Sequence, residues 1–387
     1  MAIERQTPDP AQEVEDMQDM TTERSTEDID DEIIEILEGL DEEGVQYQDD
    51  GSVILGEIEE EMGPVGFSEN LAEVVSQSEL SKIYIELTAA IENDKSARKD
   101  WEKTYTDGLK YLGMKFDNER SEPFEGASGV IHPLLGESVT QFQAQAYKEL
   151  LPAQGPVKTQ VVGEYSAASE EQAQRVKEFM NYQIIHVMEE YDEDLDQMLF
   201  YLPLAGSAFK KVYYDENLQR AVSKFVAPED LIVPYYTTDL ESCPRITHVI
   251  KMPENEVKKL QAIGFYRDVR VADGNSSSDT SGVKEEIERL EGMEPSYDTG
   301  EVSNLYEVHC NLDLEGFEDV NEDDEYTEVK LPYIVTIDSN SENILAIRRN
   351  FEEDDPMKNK IEYFVHFKFL PGLGFYGFGL THMIGGL

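Results

Sequence analysis

Apolar side chains recur at Leu80, Ile83, Leu87 and Ile91, and again at Trp101, Tyr105, Leu109 and Leu112. A step of three to four residues is that of a helix with one buried face. The pattern predicts a long helix, or two in line, over 78–114, with Ser78 as cap and Gly113 as stop. The polar run Asn93-Asp-Lys-Ser-Ala-Arg98 marks where it would break. A second stripe, Leu135, Val139, Phe142, Ala146 and Leu150, predicts a helix over 134–151 closed by Pro152. The third carries Val176, Phe179, Ile184, Val187, Tyr191, Leu195 and Met198. It is expected to start at Ser169, with Gln172 completing a capping box, and to end before Pro203.

After Pro203 the period shortens to two. Ser207–Tyr214 and Gln219–Val226 flank the turn Asp215-Glu-Asn-Leu218 and predict a hairpin. Short strands are expected at 231–236 and 245–252, then a helix over 253–263 with Pro253 and acids at its start and Gly264 at its stop. The run 273–282 has linker composition, and 283–290 a small charged helix. Strands at 305–314, 333–337, 344–351 and 361–369 complete an antiparallel meander, with turns at 338–343 and 352–356. The expected fold is α+β, N-terminal helices followed by an antiparallel sheet region. It divides into a head (1–70), a helical part (71–203), a β-rich part (204–370, with a linker over 271–303) and a glycine-rich end (371–387).

Charge sharpens the boundary of the head. The chain has 387 residues and a net charge of −51. Residues 1–62 hold 23 Asp and Glu against Arg5 and Arg24, too few apolar groups to offset ordering entropy, so the head is expected to be an acidic, largely disordered tail. Within it, Asp28–Leu40 has the spacing of a short amphipathic helix. The rest of the chain is acidic too. That balance argues against a surface built to neutralise phosphates and against docking on an anionic membrane.

Little in the chain suggests catalysis. Cys243 and Cys310 stand far apart with no C-x-x-C spacing, which suits a reducing compartment. The acidic, polar N-terminus lacks the pattern of a signal peptide. The six histidines include no H-x-x-x-H pair, and no metal site is expected. The run Glu189-Glu-Tyr-Asp-Glu-Asp-Leu-Asp196 fans its carboxylates around a helix and is expected to be a solvated face. The loop 121–133 lacks the Gly-Lys-Ser/Thr ending of a phosphate loop. No catalytic residue and no cofactor is assigned.

One match to a binding motif remains. Gly372-Leu-Gly-Phe-Tyr-Gly377 fits G-x-G-x-x-G. A dinucleotide site needs a parallel strand before it, a helix opening from it and an acid about 20 residues on, and ten residues follow Gly377. A membrane anchor over 369–387 conflicts with six glycines and with aromatics placed mid-segment. Gly372, Gly374, Gly377 and Gly379 are instead expected to form a structural hinge, where glycine permits unusual backbone angles and close backbone approach.

Four stretches together resemble a known family: Asp100-Trp-Glu-Lys with Gly108-Leu-Lys-Tyr-Leu-Gly113; Glu122-Pro-Phe-Glu-Gly-Ala-Ser-Gly-Val-Ile-His-Pro-Leu-Leu135; Leu202-Pro-Leu-Ala-Gly-Ser-Ala-Phe-Lys-Lys-Val-Tyr-Tyr214; and Gly374-Phe-Tyr-Gly-Phe-Gly-Leu-Thr-His-Met-Ile-Gly-Gly386. In order and spacing they are similar to the portal proteins of tailed bacteriophages, in the form found in Salmonella-type short-tailed phages and their marine relatives. The resemblance covers about Leu71 to Leu387 and leaves out the acidic head. It implies a virion protein, assembled in the host bacterial cytoplasm, that self-associates into a ring of about twelve copies. Double-stranded DNA would pass through that ring without sequence preference during packaging and ejection. The implied partners are the terminase large subunit, the major capsid protein or scaffold, and a head–tail adaptor, with no membrane. The covered residues would correspond to the wing, with 371–387 the hinge and the start of a stem helix; stem, clip and crown would follow. The alternatives are an acidic virion adaptor or scaffold protein and, further off, a nucleotide-binding enzyme using Gly372–Gly377.

Overall fold

The computed structural model describes residues 45–47, 53–55, 66–112, 133–215, 218–271, 282–291, 302–320, 326–339, 341 and 343–384. They belong to two units, 1–64 and 65–387. In the first, β1 (Val45–Tyr47) and β2 (Val53–Leu55) pair antiparallel. The remainder of the head, with the expected disordered tail and the Asp28–Leu40 helix, lies outside the described residues, as do the 121–132 loop and most of the linker.

The second unit begins with helices. In α1 (Gln77–Ala97) the cap is Ser76, whose hydroxyl accepts the Glu79 amide at 3.3 Å. Ser78, the expected cap, bonds the Ser76 hydroxyl instead. The predicted break falls at Arg98, and α2 (Lys99–Lys110) follows. The Arg98 guanidinium holds the break by donating to the carbonyls of Glu229 and Leu231, at 2.6 and 2.9 Å, and pairing with Glu102 at 2.8 Å. The next helix, α3, spans Leu134–Leu150.

The third predicted helix is two. α4 (Ala167–Tyr182) starts at Ser166, which forms a reciprocal capping box with Ser169. It runs into a π turn, Gln183–Val187, and α5 (Tyr191–Ala205) starts afresh behind Glu190. The break comes where Glu190 is drawn out to the sheet, accepting from Arg220 at 2.7 Å and from the Ser223 amide at 3.2 Å. Pro203 does not end α5. It sits in the last turn, where it forgoes one intrahelical bond to the Leu199 carbonyl, and the helix stops at Gly206 in the left-handed conformation (φ 83°).

Two antiparallel sheets follow. In the smaller, β3 (Ser207–Asp215) lies between β4 (Arg220–Val226) and β10 (Phe364–Lys368). The larger runs in chain order through β5 (Leu231–Ile232), β6 (Arg245–Pro253), β7 (Val302–Leu312), β8 (Leu331–Asp338) and β9 (Ile344–Arg349). The hairpin and the meander through β9 match the alternation, but β10 leaves the meander to pair with β3, His366 opposite Phe209. The strand expected at 231–236 shortens to two residues, and Tyr235 and Tyr236 project into solvent. Two helices complete the α+β unit, α6 (Glu254–Ala262) after β6 and α7 (Gly282–Glu291) before β7.

Alternation explains the layers. Tyr306, Val308, Cys310 and Leu312 of β7, with Tyr333, Val335 and Ile337 of β8, face Leu80, Ile83, Leu87 and Ile91 of α1. Leu305 and Leu345 face the other way, toward Val257 of α6. Phe209, Val226, Phe364, Leu231 and Ile246 fill the space between the two sheets. The open edge at β9 is closed by Asn70, whose side chain donates to the Leu345 carbonyl and accepts from the Ile347 amide, both at 3.0 Å.

Candidate functional site

The glycine-rich end docks on the turn between α5 and β3. A helix C-terminus leaves carbonyls without intrahelical partners, and here the closing segment meets them. Thr381 Oγ1 donates to the Leu204 carbonyl at 3.2 Å, and Phe369 N donates to the Gly206 carbonyl at 3.0 Å. Gly377 N donates to Ser207 Oγ at 2.8 Å, while Phe378 N folds the segment back onto the Leu370 carbonyl at 2.8 Å. The last helix, α8 (Leu380–Ile384), starts there.

The four hinge candidates differ in role. None adopts a positive φ; the left-handed angle of this junction belongs to Gly206. Gly377 and Gly379 matter through contact. A methyl group on Gly377 would overlap the Gly206 carbonyl oxygen, and one on Gly379 would lie 2.8 Å from the Pro203 carbonyl oxygen. On Gly372 it would sit 3.0 Å from the Tyr376 carbonyl oxygen, whereas Gly374 faces open space. The expectation of unusual angles is therefore corrected at all four. At Gly377 and Gly379 what excludes a Cβ is neighbouring backbone.

Aromatic rings lock the same junction. Trp101 of α2 stacks on Tyr376 with centroids 4.3 Å apart. Phe375 packs 4.6 Å from His366 and 5.9 Å from Phe209. Burial pushes the His366 imidazole down to about 3, and its Nε2 lies 3.1 Å from Ser207 Oγ. Gly108 of α2 admits the Thr381 side chain, which a methyl there would overlap. Sequence reasoning missed Trp101, Ser207 and Arg98, whose guanidinium hydrogen-bonds the Tyr376 side chain, as parts of this site. Their available signals were a lone tryptophan and a lone arginine in a helix break.

A second polar cluster lies between the sheets. Lys211 Nζ reaches both oxygens of Glu307, at 2.6 and 2.7 Å, and His309 Nε2 lies 2.8 Å from the same carboxylate. Burial opposes the charge on Glu307, but Lys211 and His309 outweigh it and hold the carboxyl well below its usual range. Nearby, burial pushes His248 down to about 4. The Glu307 oxygens are engaged on both sides, so the cluster ties one sheet to the other.

The acidic run on α5 is not a plain solvated face. Asp194 accepts the Phe225 amide at 2.7 Å, so together with Glu190 it occupies the edge of β4. Among the described residues, no group of three or more His, Cys, Asp or Glu side chains is placed to hold a metal ion. Nor is any helix among them long and apolar enough to cross a membrane. No protein-family model and no curated protein matches the chain.

Proposed function

We propose that the chain is a structural subunit of a phage portal ring, the conduit through which double-stranded DNA enters and leaves the capsid at one vertex. The observation that carries this reading is spatial. Three of the four stretches behind the resemblance meet at one junction: Trp101 and Gly108 from the first, Pro203 to Ser207 from the third, and Tyr376 to Thr381 from the last. Residues far apart in the chain thus serve one mechanical joint, and within it Gly377 and Gly379 lie against backbone. That supports the hinge reading over the nucleotide site for Gly372–Gly377.

Mechanism follows from charge and geometry. A conduit must let DNA slide, and each Lys or Arg free to bind phosphate would add a salt-sensitive sticking point. Here many bases are engaged by carboxylates: Arg245 by Asp94, Lys284 by Asp230, Arg220 by Glu190, Lys211 by Glu307, Lys358 by Asp319. In this reading the body is the wing and the joint at Gly377 and Gly379 fixes the direction in which α8 leaves it. The partners would be further copies of the chain, the terminase large subunit, the capsid protein or scaffold, and a tail adaptor, all in a virion assembled in the bacterial cytoplasm.

Negative-stain electron microscopy of the full chain tests the proposal, with rings around an axial hole expected. Duplex DNA at physiological salt should bind weakly and without sequence preference. Compact monomers that bind duplex tightly would overturn it.

A further inference from the structure

One helix of the second unit stands apart from the core. None of the residues of α4 is buried, although its sequence carries an apolar stripe. The helix is held by its own lead-in segment: Thr159 Oγ1 donates to the Ala173 carbonyl at 3.0 Å, and Asn181 brackets Val157, accepting its amide at 2.9 Å and donating to its carbonyl at 3.2 Å. Those contacts cover one side. On another side Val176, Phe179 and Met180 form a ridge, exposed by 47%, 60% and 42%. Three such side chains on one helix face are a contiguous apolar patch in water, the mark of an interaction surface.

The charges beside the ridge say what covers it. At 100° per residue, Arg175 and Lys177 flank Val176 on its two sides, with Arg175 also paired to Glu171 at 2.9 Å within the helix. The arm 155–187 holds four acids against three bases in a chain of net charge −51, so its ridge is nearly neutral, with Lys177 at its edge. The complementary surface is an apolar patch edged by acids, and the chain itself has one. After the shortened β5, Tyr235 and Tyr236 stand 85% and 71% exposed, followed by Asp239 and Glu241. Exposed paired tyrosines suit the centre of an interface, with large contact area at low entropy cost. One patch on a helix and a different one on a loop make a head-to-tail contact, which propagates from copy to copy and closes into a ring when the rotation allows.

We infer that the Val176–Phe179–Met180 ridge of one copy docks on the Tyr235–Tyr236 loop of the next, with Lys177 facing Asp239 and Glu241. The inference rests on the portal reading for the closing of the chain of contacts into a ring, but the contact itself does not need it.

The test places a photo-crosslinking benzoylphenylalanine at Phe179 in the full chain and mixes light and heavy isotope-labelled protein. Crosslinks between light and heavy copies that map to the peptide containing Tyr235 and Tyr236 are expected. Crosslinks within one copy only, or between copies at another surface, would overturn the inference, as would a chain that sediments as a monomer at high micromolar concentration. Two variants give an independent readout. Phe179→Asp and the double variant Tyr235→Ser, Tyr236→Ser should each weaken self-association at least about tenfold, the size of a hot-spot loss. Both leave the circular dichroism unchanged, because every altered side chain is exposed. Rings whose crosslinks avoid Phe179 would leave the portal reading standing and refute this contact. Head-to-tail crosslinks in open chains without an axial hole would do the reverse.

Discussion

α1 and α4 are helices of comparable length with similar apolar spacing, yet α1 buries Leu80, Ile83, Leu87 and Ile91 while α4 buries nothing. Periodicity specifies which face of a helix is apolar; it does not specify what meets that face. For α1 the partner is in the same unit, the alternating residues of β7 and β8. For α4 the ridge is left to another molecule. One stripe is cohesion and the other is recognition, and burial alone separates them.

Mutations should break that symmetry, beginning with the core. Ile91→Ala, at a fully buried position, should cost about 4 kcal/mol of unfolding free energy, read from the denaturation midpoint. Gly379→Ala, which presses a methyl into the carbonyls of Pro203 and Leu204, should cost about 3 kcal/mol and loosen α8, seen as faster amide exchange there. A loss below about 1 kcal/mol would mean that the joint gives way rather than locks.

Acid should strike the body rather than the arm. His248 and His366 are pushed down by burial to about 4 and about 3 from 6.5. The unfolded chain therefore takes up these protons first. Their contribution is complete above pH 6.5 and is lost as pH falls toward 4 and 3, with a slope approaching about 1.4 kcal/mol per pH unit for each histidine. Glu229 works in the opposite sense. Burial pushes it up to about 7 from 4.5, so its contribution is present below 4.5 and lost as pH rises through 7. Urea unfolding across this range should show a net loss toward acid, and His366→Gln should remove one histidine's share of the slope. Smallest of all, Phe179→Ala should change stability by less than about 0.5 kcal/mol while reducing self-association. A large stability loss there would show that α4 has a core of its own.

Much of the fold was legible because local signals agreed. The break at Arg98, the hairpin from Ser207 to Val226 and the small helix at 283–290 each had period, cap or turn chemistry pointing one way. The failures came where tertiary contacts overrode local signals. The stripe from Val176 to Met198 is helical throughout, but Glu190 is worth more to the edge of β4 than to an unbroken helix. Ile361–Phe369 alternates as a meander strand should, and nothing local says that it returns to β3. At the joint, the glycines announced that something comes close to them. That the visitor is the backbone of residues 203–206 could not be read, because it lies some 170 residues away in the chain, as the bond from Gly377 to Ser207 shows.

The carboxylates seated on β4 also bear on how the protein can be handled. A strand edge is a template on which another chain can grow, and here the template is covered by two side chains that depend on their charge. Burial has already raised the pKa of Asp194, so as pH falls it becomes neutral before an ordinary carboxyl would and weakens as an acceptor for the Phe225 amide. Acid thus loosens the Asp194 part of the edge first. At Glu190 burial is outweighed by its hydrogen bonds and Arg220, which hold that carboxyl below its usual range and in place. At the same time acid removes the mutual repulsion of a strongly anionic surface. Solutions of this protein should cloud on acidification before their helices melt.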